Sequence, residues 1–393
     1  MKRLLSALLL ISSFLLSSYN HTMAQMANIQ QGQDIVIGKT ITLSSKALNE
    51  DRNIMISLPA GYQLTTDKYP VFYILDAETH FNYAATTVHF LSQTGLIPQM
   101  IVVGIPNVNR NRDYTPTKVE NINLSGGADN FLKFLSDELQ PYIDKNYRTY
   151  PYRILAGHSL CGMFSFYTMF NRPELFNSFI GISPWVIYDN GFMISHANSK
   201  LADTKSIKKS FYFTTGSLEN DLIPKMNEFV DLLKNKAPKD LDWKFKLMEG
   251  DDHSSLLLST IFDGLKYIYR DWTLPTESAD KGVDGVVKHY SDLSSKYGYE
   301  VVVPEFTLNN AGYLMLFRQR YQDAIAMFQK NIELHPGSAN VYDSMGEAYE
   351  RSGQMALAKE NYEKAYNTAK KANHPLLNTF KANFERASKA VAN

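Results

Sequence analysis

The stretch Ile154-Leu155-Ala156-Gly157-His158-Ser159-Leu160-Cys161-Gly162 decides how this chain is read. A short apolar run stops at a glycine, and a serine follows in a G-x-S-x pattern. Residues 163–170 then have the make-up of a buried helix. Strand, sharp turn and helix is the setting that lifts a serine hydroxyl above a sheet edge, with a helix N-terminus behind it that favours developing negative charge.

Outward from this stretch, apolar runs at 54–58, 71–75 and 101–105 precede it, and strand patterns at 179–183, 211–215 and 243–248 follow. Short continuous apolar runs suit strands buried on both faces of a mostly parallel sheet. Helical patterns over 81–92, 131–142 and 226–233 fall between them. The apolar stripe at 131, 132, 134, 135, 139 and 142 is that of an amphipathic helix. The expected class is α/β, with a hydrolase-type domain over residues 35–275.

Beyond Pro275 the pattern changes. A linker with a helix over 287–297 fills residues 276–305, and an all-α segment occupies 306–390. Within it Gly312 and Gly346, Ala324 and Ala358, and Phe328 and Tyr362 are each 34 positions apart (346−312, 358−324, 362−328). That is the tetratricopeptide period, and 376–391 reads as a capping helix. Two repeats are fewer than independent stability requires, so the segment should pack on the hydrolase domain or on another subunit. It could also recruit a protein partner.

The N-terminus has the layout of a secretory signal peptide: Lys2-Arg3, an apolar run from Leu4 to Leu16, and a small-residue cleavage site at Thr22-Met23-Ala24. Residues 1–24 are therefore expected to be removed, leaving an exported chain, periplasmic or secreted, with no membrane span. The alternative is an uncleaved anchor. Cleavage would leave 38 basic against 40 acidic residues, a balance that gives no nucleic-acid footprint. With 44% hydrophobic and 20% charged residues, wholesale disorder is excluded. Cys161 is the only cysteine, so no intramolecular disulfide forms, and it should be buried and inert.

A serine hydroxyl needs a base to take its proton. Of the 9 histidines, those after Ser159 are His196, His253, His289, His335 and His374, and among these His253 alone follows a strand pattern directly, in Glu249-Gly250-Asp251-Asp252-His253. An acid should follow the preceding strand, where Glu219 and Asp221 both stand, and spacing does not choose between them. The oxyanion hole needs two backbone N–H groups: that of Leu160, and one from the loop after 71–75. Trp185, Tyr188 and Phe192 could line an aryl-binding pocket or equally pack in the core or a lid. No metal-ligand cluster and no phosphate loop is visible, so no metal and no cofactor is expected.

Ile74-Leu75-Asp76, Arg112-Asp113-Tyr114-Thr115-Pro116, Gly126-Gly127-Ala128, Ala156-Gly157-His158-Ser159-Leu160 and Ile182-Ser183-Pro184 together resemble the esterase D-like family of α/β-hydrolases. That family includes siderophore, feruloyl and acetyl-xylan esterases, S-formylglutathione hydrolases and mycolyltransferases. The resemblance implies an α/β-hydrolase fold with Ser159 as nucleophile and His253 as base. Its G-x-x-E loop matches Gly216 to Glu219 and so favours Glu219 as the acid. Its L-D-G-type loop implies the backbone N–H of Glu78 as the second oxyanion donor. The chain departs from the family pattern at Ala77 and Cys161, where glycine is usual. A serine ester hydrolase is expected; the alternatives are an acyltransferase of the same fold, or a non-catalytic scaffold that binds partners through its repeats.

Overall fold

Alternation along the third strand explains why the apolar runs are continuous. In β3 (Tyr69–Leu75), Val71, Tyr73 and Leu75 enter one apolar core, while Phe72 and Ile74 enter another on the opposite face. Successive side chains point to opposite faces, so a strand buried on both sides must be apolar at every position. The same holds for β4 (Ile101–Ile105) and β6 (Ser178–Ile182), every residue of which is buried.

This computed structural model describes residues 34–64 and 66–392. Its eight strands lie in the order β1-β2-β4-β3-β5-β6-β7-β8. The leading pair, β1 (Lys39–Ser45) and β2 (Glu50–Ser57), is antiparallel, and β2 pairs antiparallel with β4. From β4 through β3, β5 (Thr149–His158), β6, β7 (Lys209–Gly216) and β8 (Leu241–Met248) all pairings are parallel. The mostly parallel α/β-hydrolase sheet is therefore present. β1 escaped the sequence pattern because it alternates exposed and half-buried residues and carries no apolar run.

Helices cover both faces. On one lie α1 (Ala77–Gln93) and, later in the chain, Leu257–Ile268; on the other lie Leu160–Asn171, Tyr188–Asp203 and Ile223–Lys236. With the short α2 (Arg110–Tyr114) these are, in chain order, α1, α2, α3 (160–171), α4 (188–203), α5 (223–236) and α6 (257–268). The helical run 128–146 passes through a π turn at Phe134–Leu139.

The chain continues into α7 (Val283–Tyr297) and five further helices: α8 (Glu305–Phe317), α9 (Tyr321–Leu334), α10 (Ala339–Arg351), α11 (Met355–Lys371) and α12 (Leu377–Ala392). They are not a separate body. Leu308, Ala311 and Met327 share one apolar cluster with Tyr152, Ile154 and the helices on that face. Tyr299 stacks on Tyr150 with ring centroids 4.2 Å apart. Between α8 and α9 a β-carbon on Gly312 would meet the Phe328 ring at 2.5 Å, and between α10 and α11 one on Gly346 would meet Tyr362 at 2.7 Å. The same close approach thus occurs in both helical hairpins.

The proposed signal peptide, residues 1–24, lies outside the described residues. Among those described, no helix is long and apolar enough to cross a membrane.

Candidate active site

Six parallel strands end at one edge, and three of the loops there carry a non-glycine residue at positive φ: Asp76 after β3, Ser159 after β5 and Ser183 after β6. Ser159 sits at φ 58°, ψ −116°, immediately before α3. Such a conformation costs about 1–3 kcal/mol and persists only where the surroundings over-determine it. Here the Ser159 N–H donates to the Ile182 carbonyl at 2.8 Å, and the Ser159 carbonyl accepts the N–H of Trp185 at 2.9 Å. The turn also needs its flanking glycines. A β-carbon on Gly157 would lie 2.3 Å from the Cys161 carbonyl oxygen, and one on Gly162 would lie 3.0 Å from Pro184. Cys161 fits between them because its side chain is fully buried, against Asp76 and Arg110.

His253 lies in the loop after β8. Its Nδ1 is 2.5 Å from Glu219 Oε2, and a carboxylate only accepts, so Nδ1 carries the proton and Nε2 keeps a free lone pair. Glu219 lies in the loop after β7, its side chain 7% exposed. It accepts two further groups: the N–H of Gly216 at 2.7 Å and the Ser183 hydroxyl at 2.6–2.7 Å. Burial alone would raise its pKa; the bonds from His253, Ser183 and Gly216 outweigh that and hold the carboxyl below the ordinary range. Asp221, the other acid of that loop, stands exposed and away from the histidine's contacts. The two loops are laced together, Leu218 N–H to the Asp251 carbonyl at 3.0 Å and Gly250 N–H to Ser217 Oγ at 2.9 Å.

Leu160 is the first residue of α3, where a backbone N–H has no intrahelical acceptor. In α1 the first bonded amide is that of Thr79, on the Asp76 carbonyl, so the amides of Ala77 and Glu78 precede the helical ladder. The Glu78 carboxylate is turned towards Asn107, accepting its backbone N–H at 3.0 Å and its side-chain amide at 2.7 Å. Arg110 braces Asp76 at 2.8 Å. The Arg112-Asp113 motif is structural: Asp113 is buried, paired at 2.7 Å with Arg52 and with Arg112.

The three aromatics proposed for a pocket separate. Trp185 is 37% exposed and meets the His253 ring edge-on at 5.7 Å. Tyr188 is buried, its hydroxyl donating to the Thr117 carbonyl at 2.8 Å, and Phe192 stacks on His196. Both are therefore packing residues. Beside the His253 loop a groove of about 820 Å³ runs between α1 and α6, lined by Tyr83, Phe90, Leu258 and Phe262. Two side chains escaped the sequence reading, Ser183 and His158. Nothing in the local sequence around Ser183 marks a partner 36 positions away.

Residues 45–254 match the family described as "Putative esterase". The chain belongs to this esterase family. It is 26% identical over 252 residues to the ferri-bacillibactin esterase BesA of Bacillus subtilis, a match covering 57% of this chain and 87% of that protein. To the siderophore triacetylfusarinine C esterase of Aspergillus fumigatus it is 25% identical over 245 residues, covering 52% and 82%. The solved structure of an IroE-like serine hydrolase from Shewanella oneidensis superposes with a TM-score of 0.68 at 25% identity, covering 75% of this chain and 99% of that one. This esterase is accordingly an ester hydrolase.

Proposed function

We propose that the esterase cleaves siderophore esters through an acyl-enzyme formed on Ser159. Ser159 Oγ attacks the ester carbonyl while His253 Nε2 takes its proton, and Glu219 holds the imidazole tautomer and stabilises the imidazolium. The N–H groups of Leu160 and Glu78 receive the oxyanion. His253 then returns the proton to the departing alcohol, and a water, activated by the same histidine, releases the acid.

The observation that carries the reading is the 2.5 Å contact of Glu219 with His253 Nδ1, made in the same loop cluster as the strained Ser159. The substrate class draws on the relatives that are siderophore esterases, and on Trp185, an exposed indole beside the base that suits a planar aryl group. Export follows from the layout of residues 1–24, and cell fractionation checks it. The test of the chemistry is fluorophosphonate labelling of wild type against Ser159→Ala, with turnover of p-nitrophenyl acetate, methyl ferulate and a catecholate trilactone with and without iron. Labelling of the Ala variant would refute the nucleophile; a preference for simple acetates over the trilactone would refute the substrate class.

A further inference from the structure

His158 closes β5 and stands directly before the strained serine. Its Nε2 lies 2.8 Å from the backbone carbonyl oxygen of His253. A carbonyl can only accept, so this nitrogen carries the proton and donates. The bond joins the backbone of the base to the residue beside the nucleophile. The bonds to Ser217 and Leu218 hold the base loop against the acid loop, and the His158 bond holds it against the elbow.

The surroundings fix this imidazole as well. Its ring centroid is 4.6 Å from that of His253 and 5.7 Å from that of His80, whose Nδ1 is bonded to the Tyr83 hydroxyl. The titratable groups acting on His158 are therefore His253 on the base loop, and His80 and Asp76 at the start of α1. Burial, and after it repulsion from His253, pushes its pKa down to about 4. It is therefore neutral near neutral pH.

We infer that His158 is a positioning residue of the reaction: its Nε2–H, held on the His253 carbonyl, sets the reach of the base to Ser159. It shuttles no proton. The inference rests on the assignment of Ser159 and His253 as nucleophile and base. Misplacing a reacting group by about 1 Å can cost on the order of 10²-fold in rate.

The test uses the full chain. H158A, H158Q and H158N are compared with wild type by kcat, KM and fluorophosphonate labelling rate, with S159A and H253A as controls. H158A is expected to lower kcat and labelling about 10–100-fold with KM within about threefold. H158Q, whose amide nitrogen reaches the position of Nε2, recovers most of that loss, and H158N, whose amide stops short, does not. The acid limb of log kcat/KM has a slope of one down to about pH 5 in wild type and in H158Q, because His158, its pKa pushed down to about 4, adds no titration of its own there. A kcat for H158A within about twofold of wild type overturns the inference, as does equal impairment of H158Q and H158N, or a slope of two. Should H158A not fold, the Gln and Asn pair at matched melting temperature decides. Normal turnover by S159A or H253A would instead sink the active-site assignment itself.

Discussion

Two regions of the esterase place ordinary residues in the left-handed part of backbone space, and they do so for opposite reasons. In the C-terminal helices, Gln319, Gly353 and Asn373 follow the ends of α8, α10 and α11 at φ 59°, 79° and 48°. Each lies within a pair of closing bonds, such as Gln319 N–H to the Leu316 carbonyl at 3.0 Å and Arg320 N–H to the Met315 carbonyl at 2.9 Å. This is the Schellman stop, self-contained and routine. At the sheet edge, Asp76 and Ser159 hold positive φ at helix starts, where the capping residue is ordinarily extended. Their carbonyls only start the helices that follow; from elsewhere in the fold, Ser159 is bonded by β6 and the loop after it, and Asp76 by Arg110. Strain at a stop is spelling, whereas strain at a start needs the tertiary fold to hold it, and here it coincides with the proposed nucleophile.

The sharpest way to break this contrast is at Ser159. Ser159→Ala should reduce ester turnover by about 10⁴–10⁶-fold. Ser159→Gly should be equally inactive, yet melt a few degrees higher, since glycine accepts the turn freely. A lower melting temperature for the Gly variant would show that the start is not strained.

Glu219→Gln comes next, with turnover lowered about 10²–10⁴-fold. It also carries a pH signature. The folded pKa of Glu219 lies below its unfolded value of about 4.3, so the stability it contributes is complete above that pH and is lost as pH falls through the folded value. Acid-unfolding curves should therefore be flatter in this range for the Gln variant; superimposable curves would count against the bonded carboxylate.

Effects in the helical region should leave chemistry alone. Gly346→Ala drives a methyl into Tyr362 and should cost about 1–3 kcal/mol of stability, with activity per folded molecule unchanged. Gln319→Gly should be the mildest, a gain of about 0.5–1 kcal/mol read as a raised melting temperature. A loss there would mean that the stop depends on its side chain.

Much of the sheet was legible because β2 to β7 each contain an apolar run and β8 alternates apolar with charged residues, and the elbow because glycine, serine and helix follow one another in sequence. His253 and the acid loop, the partners proposed for Ser159, were picked out by their order after strands. Spacing alone left Glu219 and Asp221 open, since both side chains occupy the same turn and the contact of Glu219 with His253 runs across two loops. Ser183 and His158 were illegible for the same reason: each acts on an atom brought close by β6 or β5 pairing with its neighbours. The helix Tyr188–Asp203 was missed because residues 189–191 break its dihedrals and its composition is polar. Whether Tyr188 and Phe192 line a cleft or pack in the core was left open, because an aromatic after a strand reads alike in both settings.

Cys161 has one more consequence. Its thiol is fully buried, and burial, reinforced by the adjacent Asp76 carboxylate, pushes its pKa well above the ordinary thiol value. Oxidants and alkylating reagents attack the thiolate, and access to it is barred as well. Since the chain contains no other sulfhydryl, the catalyst has no redox handle. Iodoacetamide, glutathione disulfide or dithiothreitol should leave its turnover alike, so the enzyme is fitted to oxidising and reducing surroundings equally.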